Sequence, residues 1–178
     1  MALFTGKGDG GTTKVFGCDQ QRISKSSELP EALGALDELN AFLGFVKMRA
    51  GAVPRIQEVV RATQEQLFIV QAEIAGSDKR LPEGSVAEVE QIVNDIEKEI
   101  PPIKSFSIAG GTELSAMLDV ARTLSRRAER RVVAVIEAGL REVSPETKAY
   151  LNRLSSLLFA LARLANHLAG IPEENPKY

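Results

Sequence analysis

Apolar residues recur at helical spacing along most of the chain, and clusters of Gly, Pro and polar residues cut the pattern into five stretches. Over 30–49, Leu36, Leu39, Leu43 and Val46 fall on one stripe, with Pro30 near the first turn. Gly51 and Pro54 interrupt it. The spacing of Ile56, Val59, Val60, Leu67, Ile69, Val70 and Ile74 predicts a second helix over 54–75, stopped by Gly76. After a polar turn, Val86, Val89, Ile92, Val93 and Ile96 predict a third over 85–99, which Pro101 and Pro102 end. Thr112 and Ser144 are N-cap candidates for a fourth helix over 112–138 and a fifth over 145–169. Gly139 separates these two, and Leu151, Leu154, Leu158, Leu161, Ala162 and Ala165 form the apolar side of the last.

Five helices with short connections predict an all-α fold, an antiparallel up-and-down bundle. The expected organisation is one domain over 1–178: an N-terminal arm (1–28), the bundle (29–170) and a tail (171–178). The arm is the exception to the pattern. Residues 4–13 hold four glycines, a density that suits neither helix nor strand. Such a loop is either a loose terminus or a cradle of backbone N–H groups for an anion, with Thr5, Thr12 and Thr13 adding hydroxyls. It is not a phosphate loop of the Gly-x-x-x-x-Gly-Lys-Ser/Thr kind. Residues 14–28 show no clear period and carry Lys14, Arg22 and Lys25.

Composition narrows the function. A net charge of −2 over 178 residues gives no general basic field for nucleic acid. No apolar run reaches the ~18 residues of a membrane span. A lone Cys18 excludes an internal disulfide framework, and the N-terminus lacks a signal or transit pattern. The expected location is the cytoplasm.

Positive charge is concentrated instead in one helix. Arg122, Arg126, Arg127, Arg130 and Arg131 fall within ten residues, with Glu129 the one acid among them. At about 100° per residue, Arg122, Arg126, Glu129 and Arg130 share a stripe beside the apolar Ala121, Leu124, Ala128 and Val132. This is either a salt-bridged surface or a set of guanidinium forks for carboxylate or phosphate. Asp37 lies off the apolar stripe of its helix, near Gly34, Asn40, Ala41 and Gly44. It is an exposed acid or a partner for an arginine, here or on another subunit. Phe106, in the linker 103–111, is a core plug or a pocket wall. Asn152 is exposed, pairs within the bundle, ligates a phosphate-bound metal or bonds a base. His167 has no metal-spaced neighbours, and Glu90, Glu97, Lys98 and Glu99 read as solvated.

Taken together, Thr-Gly-Lys-Gly-Asp-Gly-Gly-Thr-Thr at 5–13, Gly-Ala-Leu-Asp-Glu-Leu-Asn at 34–40, Arg-Arg-Ala-Glu-Arg at 126–130 and Tyr-Leu-Asn-Arg-Leu-Ser at 150–155 make the chain resemble the PduO-type ATP:cob(I)alamin adenosyltransferases. The resemblance spans nearly the whole chain. It implies a homotrimer of five-helix, ferritin-like bundles with sites between subunits, and transfer of adenosyl from ATP, with Mg²⁺ on the phosphates, to cob(I)alamin. By motif, Thr5, Gly6, Lys7, Gly8, Asp9, Thr12, Thr13 and Lys25 would wrap the nucleotide. Arg126 and Arg130 would neutralise phosphate, Glu129 would hold the arginines or adenosine, and Asn152 would bind the ATP–Mg²⁺ unit. Asp37 and Arg122 match an intersubunit salt bridge beside the corrin. Phe106 matches an aromatic that helps displace the lower axial base, a role that Phe159 also suits. A reductase and a B12-dependent acceptor enzyme are the implied partners. Ser156 and Leu157 stand where the family often has Asp-Tyr. The competing reading is a non-catalytic nucleotide sensor, which would have no use for Asp37, Arg122 and Phe106.

Overall fold

The computed structural model describes residues 4–16 and 21–178; Cys18 lies outside them. Five helices appear where the periodicity predicts them: α1 Glu28–Arg49, α2 Pro54–Ala75, α3 Ser85–Glu99, α4 Glu113–Glu137 and α5 Pro145–Leu168. The predicted starts and stops differ from these by at most two residues.

Their ends follow from local chemistry. Thr112 Oγ1 accepts from Ser115 N–H at 3.1 Å, and Ser144 Oγ accepts from Thr147 N–H at 3.2 Å, so both predicted N-caps are made. Pro54 and Pro145 occupy first-turn positions, where a missing N–H is harmless. Gly76 ends α2 at φ 106°, a left-handed conformation that a side chain would strain. A Cβ there would also stand 3.1 Å from the Phe16 carbonyl, so the N-terminal arm packs against this turn.

The arm itself differs from expectation. Thr12–Lys14 (β1) and Arg22–Ser24 (β2) pair antiparallel, with Thr13 opposite Ile23. Val15 and Ile23 rest on the bundle core. These strands are too short to show a period-two pattern.

Packing orders the helices. α1 lies against α2 and α4, α4 against α5, and α5 against α3. The core is apolar, with Leu36, Leu39, Leu43, Ile56, Leu67, Ile74, Leu118, Leu151, Leu154 and Leu158 all buried. Leu157 is buried with them, so this departure from the family pattern is a core residue, while Ser156 is exposed. The Glu73 side chain is fully enclosed. The Glu73 carboxylate takes Ser144 N–H at 2.7 Å and Thr147 Oγ1–H at 2.6 Å, with Arg80 at 3.3 Å, tying α2 to the start of α5.

The antiparallel arrangement gives the bundle two distinct ends. The hairpin, the α2 stop and the α4–α5 turn share one end. At the other, Arg49 faces Glu113 at 3.5 Å and Arg163 Nη2 donates to the Pro101 carbonyl at 2.6 Å. Between them α4 runs about 37 Å at 1.5 Å per residue. Among the described residues, no helix is long and apolar enough to cross a membrane.

Candidate functional site

The glycine-rich segment folds as successive tight turns, with Asp9 N–H on the Gly6 carbonyl and Gly11 N–H on the Gly8 carbonyl. Lys25 N–H then donates to the Gly11 carbonyl at 2.9 Å, and this closes the loop onto β2. The result is a cleft of about 430 Å³ lined by Thr5, Lys7, Gly8, Thr12, Thr13, Lys14, Arg22 and Lys25. Four cations and three hydroxyls line it and no carboxylate does, which suits a polyanion. Gly6 and Asp9 belong to the turns rather than the wall. Gly8 is packed close under Lys25: a Cβ there would stand 3.2 Å from Nζ. Arg22 joins the predicted set through the hairpin. Its Nε donates to Thr12 Oγ1 at 2.8 Å and its Nη2 to the Thr12 carbonyl at 2.6 Å.

The arginines of α4 divide by helical face. Arg127 pairs with Glu38 and Arg131 with Glu31, both on α1. Arg122 pairs with Asp119 at 3.4 Å and stands 6.0 Å from the centre of the Phe159 ring. Arg126 and Arg130 have neither ion pair nor hydrogen bond among the described residues, and both are exposed. Between them, Glu129 accepts from Asn152 Nδ2 at 2.9 Å. Asn152 Oδ1 in turn accepts from Arg153 Nη1 at 2.7 Å, and Arg153 Nε donates to Glu90 at 2.7 Å. Glu90 therefore is not merely solvated: it closes a chain from α3 to the arginine face. Its sequence signal was slight, a single acid on an acidic helix. Tyr150, two residues before Asn152, is buried, and burial pushes its hydroxyl well above the usual phenol range, so it belongs to the core.

Asp37 is exposed and has no partner among the described residues; Arg122 is occupied within its own helix. The chain alone does not bring those two together. Of the small residues near Asp37, Gly44 is already used by α2, where a Cβ would stand 3.4 Å from Gln64 Nε2, and Gly34 faces open space.

Phe106 is 78% exposed, so it is no core plug. Its loop leads into a cavity of about 120 Å³ between α4, α5 and the tail, with Phe159 and Asp119 in the wall. Asn166 fixes the loop's far end, accepting from Thr112 N–H at 2.9 Å and donating to the Gly110 carbonyl at 2.8 Å. Gly111 is needed there: its φ is 94°, and a Cβ would fall 2.5 Å from Asn166. Among the described residues, no three His, Cys, Asp or Glu cluster as metal ligands. His167 is exposed and isolated from such groups.

A cationic cleft, an unpaired arginine couple beside a Glu–Asn pair and an exposed aromatic loop on one five-helix bundle define a class of helical protein suited to a polyanionic ligand. The chain belongs to the cobalamin adenosyltransferase family, whose model matches residues 3–165. It is 39% identical over 175 residues to the corrinoid adenosyltransferase PduO of Citrobacter freundii, covering 94% of this chain and 50% of that protein. To the corrinoid adenosyltransferase of Bacillus subtilis it is 35% identical over 178 residues, covering 96% and 90%. The chain thus spans half of the first relative and nearly all of the second. Its fold matches a variant of the PduO-type ATP:corrinoid adenosyltransferase of Lactobacillus reuteri solved with cobalamin and ATP. The TM-score is 0.91 at 27% identity, over 99% of this chain and 97% of that one. A second variant of that enzyme, solved with ATP, gives a TM-score of 0.90 at 28% identity, over 98% and 100%.

Proposed function

We propose that the chain transfers the 5′-deoxyadenosyl group of ATP to cob(I)alamin, giving adenosylcobalamin and triphosphate. The observation that carries this reading is that Arg126 and Arg130 are the two arginines of the α4 cluster left unpaired, on the face that also presents Glu129 and Asn152. Cob(I)alamin is itself the nucleophile. Its cobalt attacks the ATP 5′ carbon, the C5′–O bond breaks, and triphosphate leaves with the electron pair. No Ser, Cys or His nucleophile is required.

What the protein must supply is charge and position. Charge develops on the leaving triphosphate, so fixed cations stabilise the transition state more than the ground state. Arg126 and Arg130 fit that task, and the loop cleft with Lys7, Thr12, Thr13 and Lys25 holds the rest of the polyphosphate. Glu129 keeps Asn152 oriented. Mg²⁺ enters as part of the nucleotide, where it offsets phosphate charge. A site with one neutral amide oxygen and no acidic cluster suits an ion carried chiefly by phosphates. Phe106 and Phe159 form the apolar side against the corrin, where loss of the lower axial base eases reduction from Co(II).

A second copy completes the site. The loop cleft has no lining residue from α4, and Phe106 lies at the far end of the bundle. Asp37 is free to meet Arg122 of another subunit. Phe45 and Met48 on α1 are 47% and 75% exposed, as an interface would leave them in a single chain. We assign a homotrimer, working in the cytoplasm with a reductase that supplies Co(I) and an acceptor enzyme that takes the product.

The test is anaerobic. Chemically reduced cob(I)alamin, MgATP and protein should yield the adenosylcobalamin spectrum with triphosphate in equal amount. Saturable ATP binding without product would favour the nucleotide sensor and overturn the transferase.

A further inference from the structure

The tail after α5 is tied to the loop at Phe106 and again two residues beyond it. Ile108 N–H donates to the Glu174 carbonyl at 2.7 Å, and Asn175 Nδ2 donates to the Phe106 carbonyl at 2.8 Å. An anchor lies beneath. Arg163, only 6% exposed, pairs with Glu173 and also donates to the Pro101 carbonyl. The side chain of Phe106 gains nothing from the core, so its position is set by its backbone alone. That backbone has no helix or sheet around it. A side chain that must press on a ligand from such a loop acts well only if its ordering has been met beforehand.

We infer that residues 171–175 are a strap that positions Phe106, with Asn175 as a positioning residue and the Arg163–Glu173 pair as its anchor. The corrin side of the site is then shaped by residues that follow α5. This rests on the reading of Phe106 as corrin-facing.

The experiment compares Asn175→Ala, Glu173→Gln and Phe106→Ala with the parent protein. Amide hydrogen exchange is followed over residues 103–109, and KM is measured separately for cob(I)alamin and ATP. In Asn175→Ala, exchange should quicken about fivefold, the scale of one lost hydrogen bond, and KM for cob(I)alamin should rise by about as much. KM for ATP should stay within about twofold. Glu173→Gln, at a partly exposed site that tolerates the change, should act alike. Unchanged exchange in both variants overturns the strap. So does an equal rise in both KM values, which would mark a general structural role. If Phe106→Ala raises KM for cob(I)alamin while Asn175→Ala is silent, the strap alone falls. If Phe106→Ala leaves that KM untouched, the corrin reading of Phe106 fails and takes the strap with it.

Discussion

Single residues divide the α4 cluster more finely than the sequence does. The helical wheel places Arg126 and Arg130 beside Glu129, and that much is legible in spacing alone. It cannot show that α1 supplies Glu31 and Glu38 to occupy Arg131 and Arg127, because those acids lie about ninety to a hundred residues away in the chain. The unpaired arginines are the ones available to a ligand. Arg126→Ala should therefore lower kcat by about a hundredfold, as loss of one transition-state donor does. The sedimentation and helical circular dichroism of the protein should not change. Near-normal turnover would remove Arg126 from the phosphate site. Phe106 shows the opposite limit of sequence reading. An aromatic in an apolar linker looks like core, and only its position on a loop outside the bundle reveals that it is exposed.

Whole elements were the most legible part, since twenty-residue helices repeat their apolar stripe many times over. The hairpin was not, for three-residue strands leave no pattern to read and Thr12, Thr13 and Ser24 are all polar. The link between elements was hidden as well. Glu73 reads as one more acid on an amphipathic helix, yet it holds the start of α5 from inside the protein. Glu73→Ala removes the acceptor for a buried N–H and two hydroxyls. It should cost about 3 kcal/mol of stability, measured by urea unfolding. Specific activity of the protein that remains folded should be retained, because the change lies away from the arginine face. A loss of activity without loss of stability would mean that Glu73 acts on the site.

At the scale of the molecule, the apolar exposure of α1 is the feature to test. Phe45 stacks edge-on against Phe42 at 6.3 Å and lies under Arg49 at 5.7 Å, so its outward position is held firmly. Phe45→Glu should shift the sedimentation of the protein from the proposed trimer to monomer with helix content unchanged, and adenosyl transfer should fall with it. A variant that stays trimeric would move the subunit contact to another face. The arm and the aromatic loop stand at opposite ends of an antiparallel bundle some 37 Å long. A copy that lends its arm to a neighbour's arginine face and receives another's in return makes a contact between two unlike surfaces. Such a contact closes either by reciprocal exchange across a two-fold axis or head to tail as a ring, and only an odd-numbered assembly such as the proposed trimer requires the ring. A ring of like copies has no first or last member, and every glycine-rich arm in it finds a site to complete.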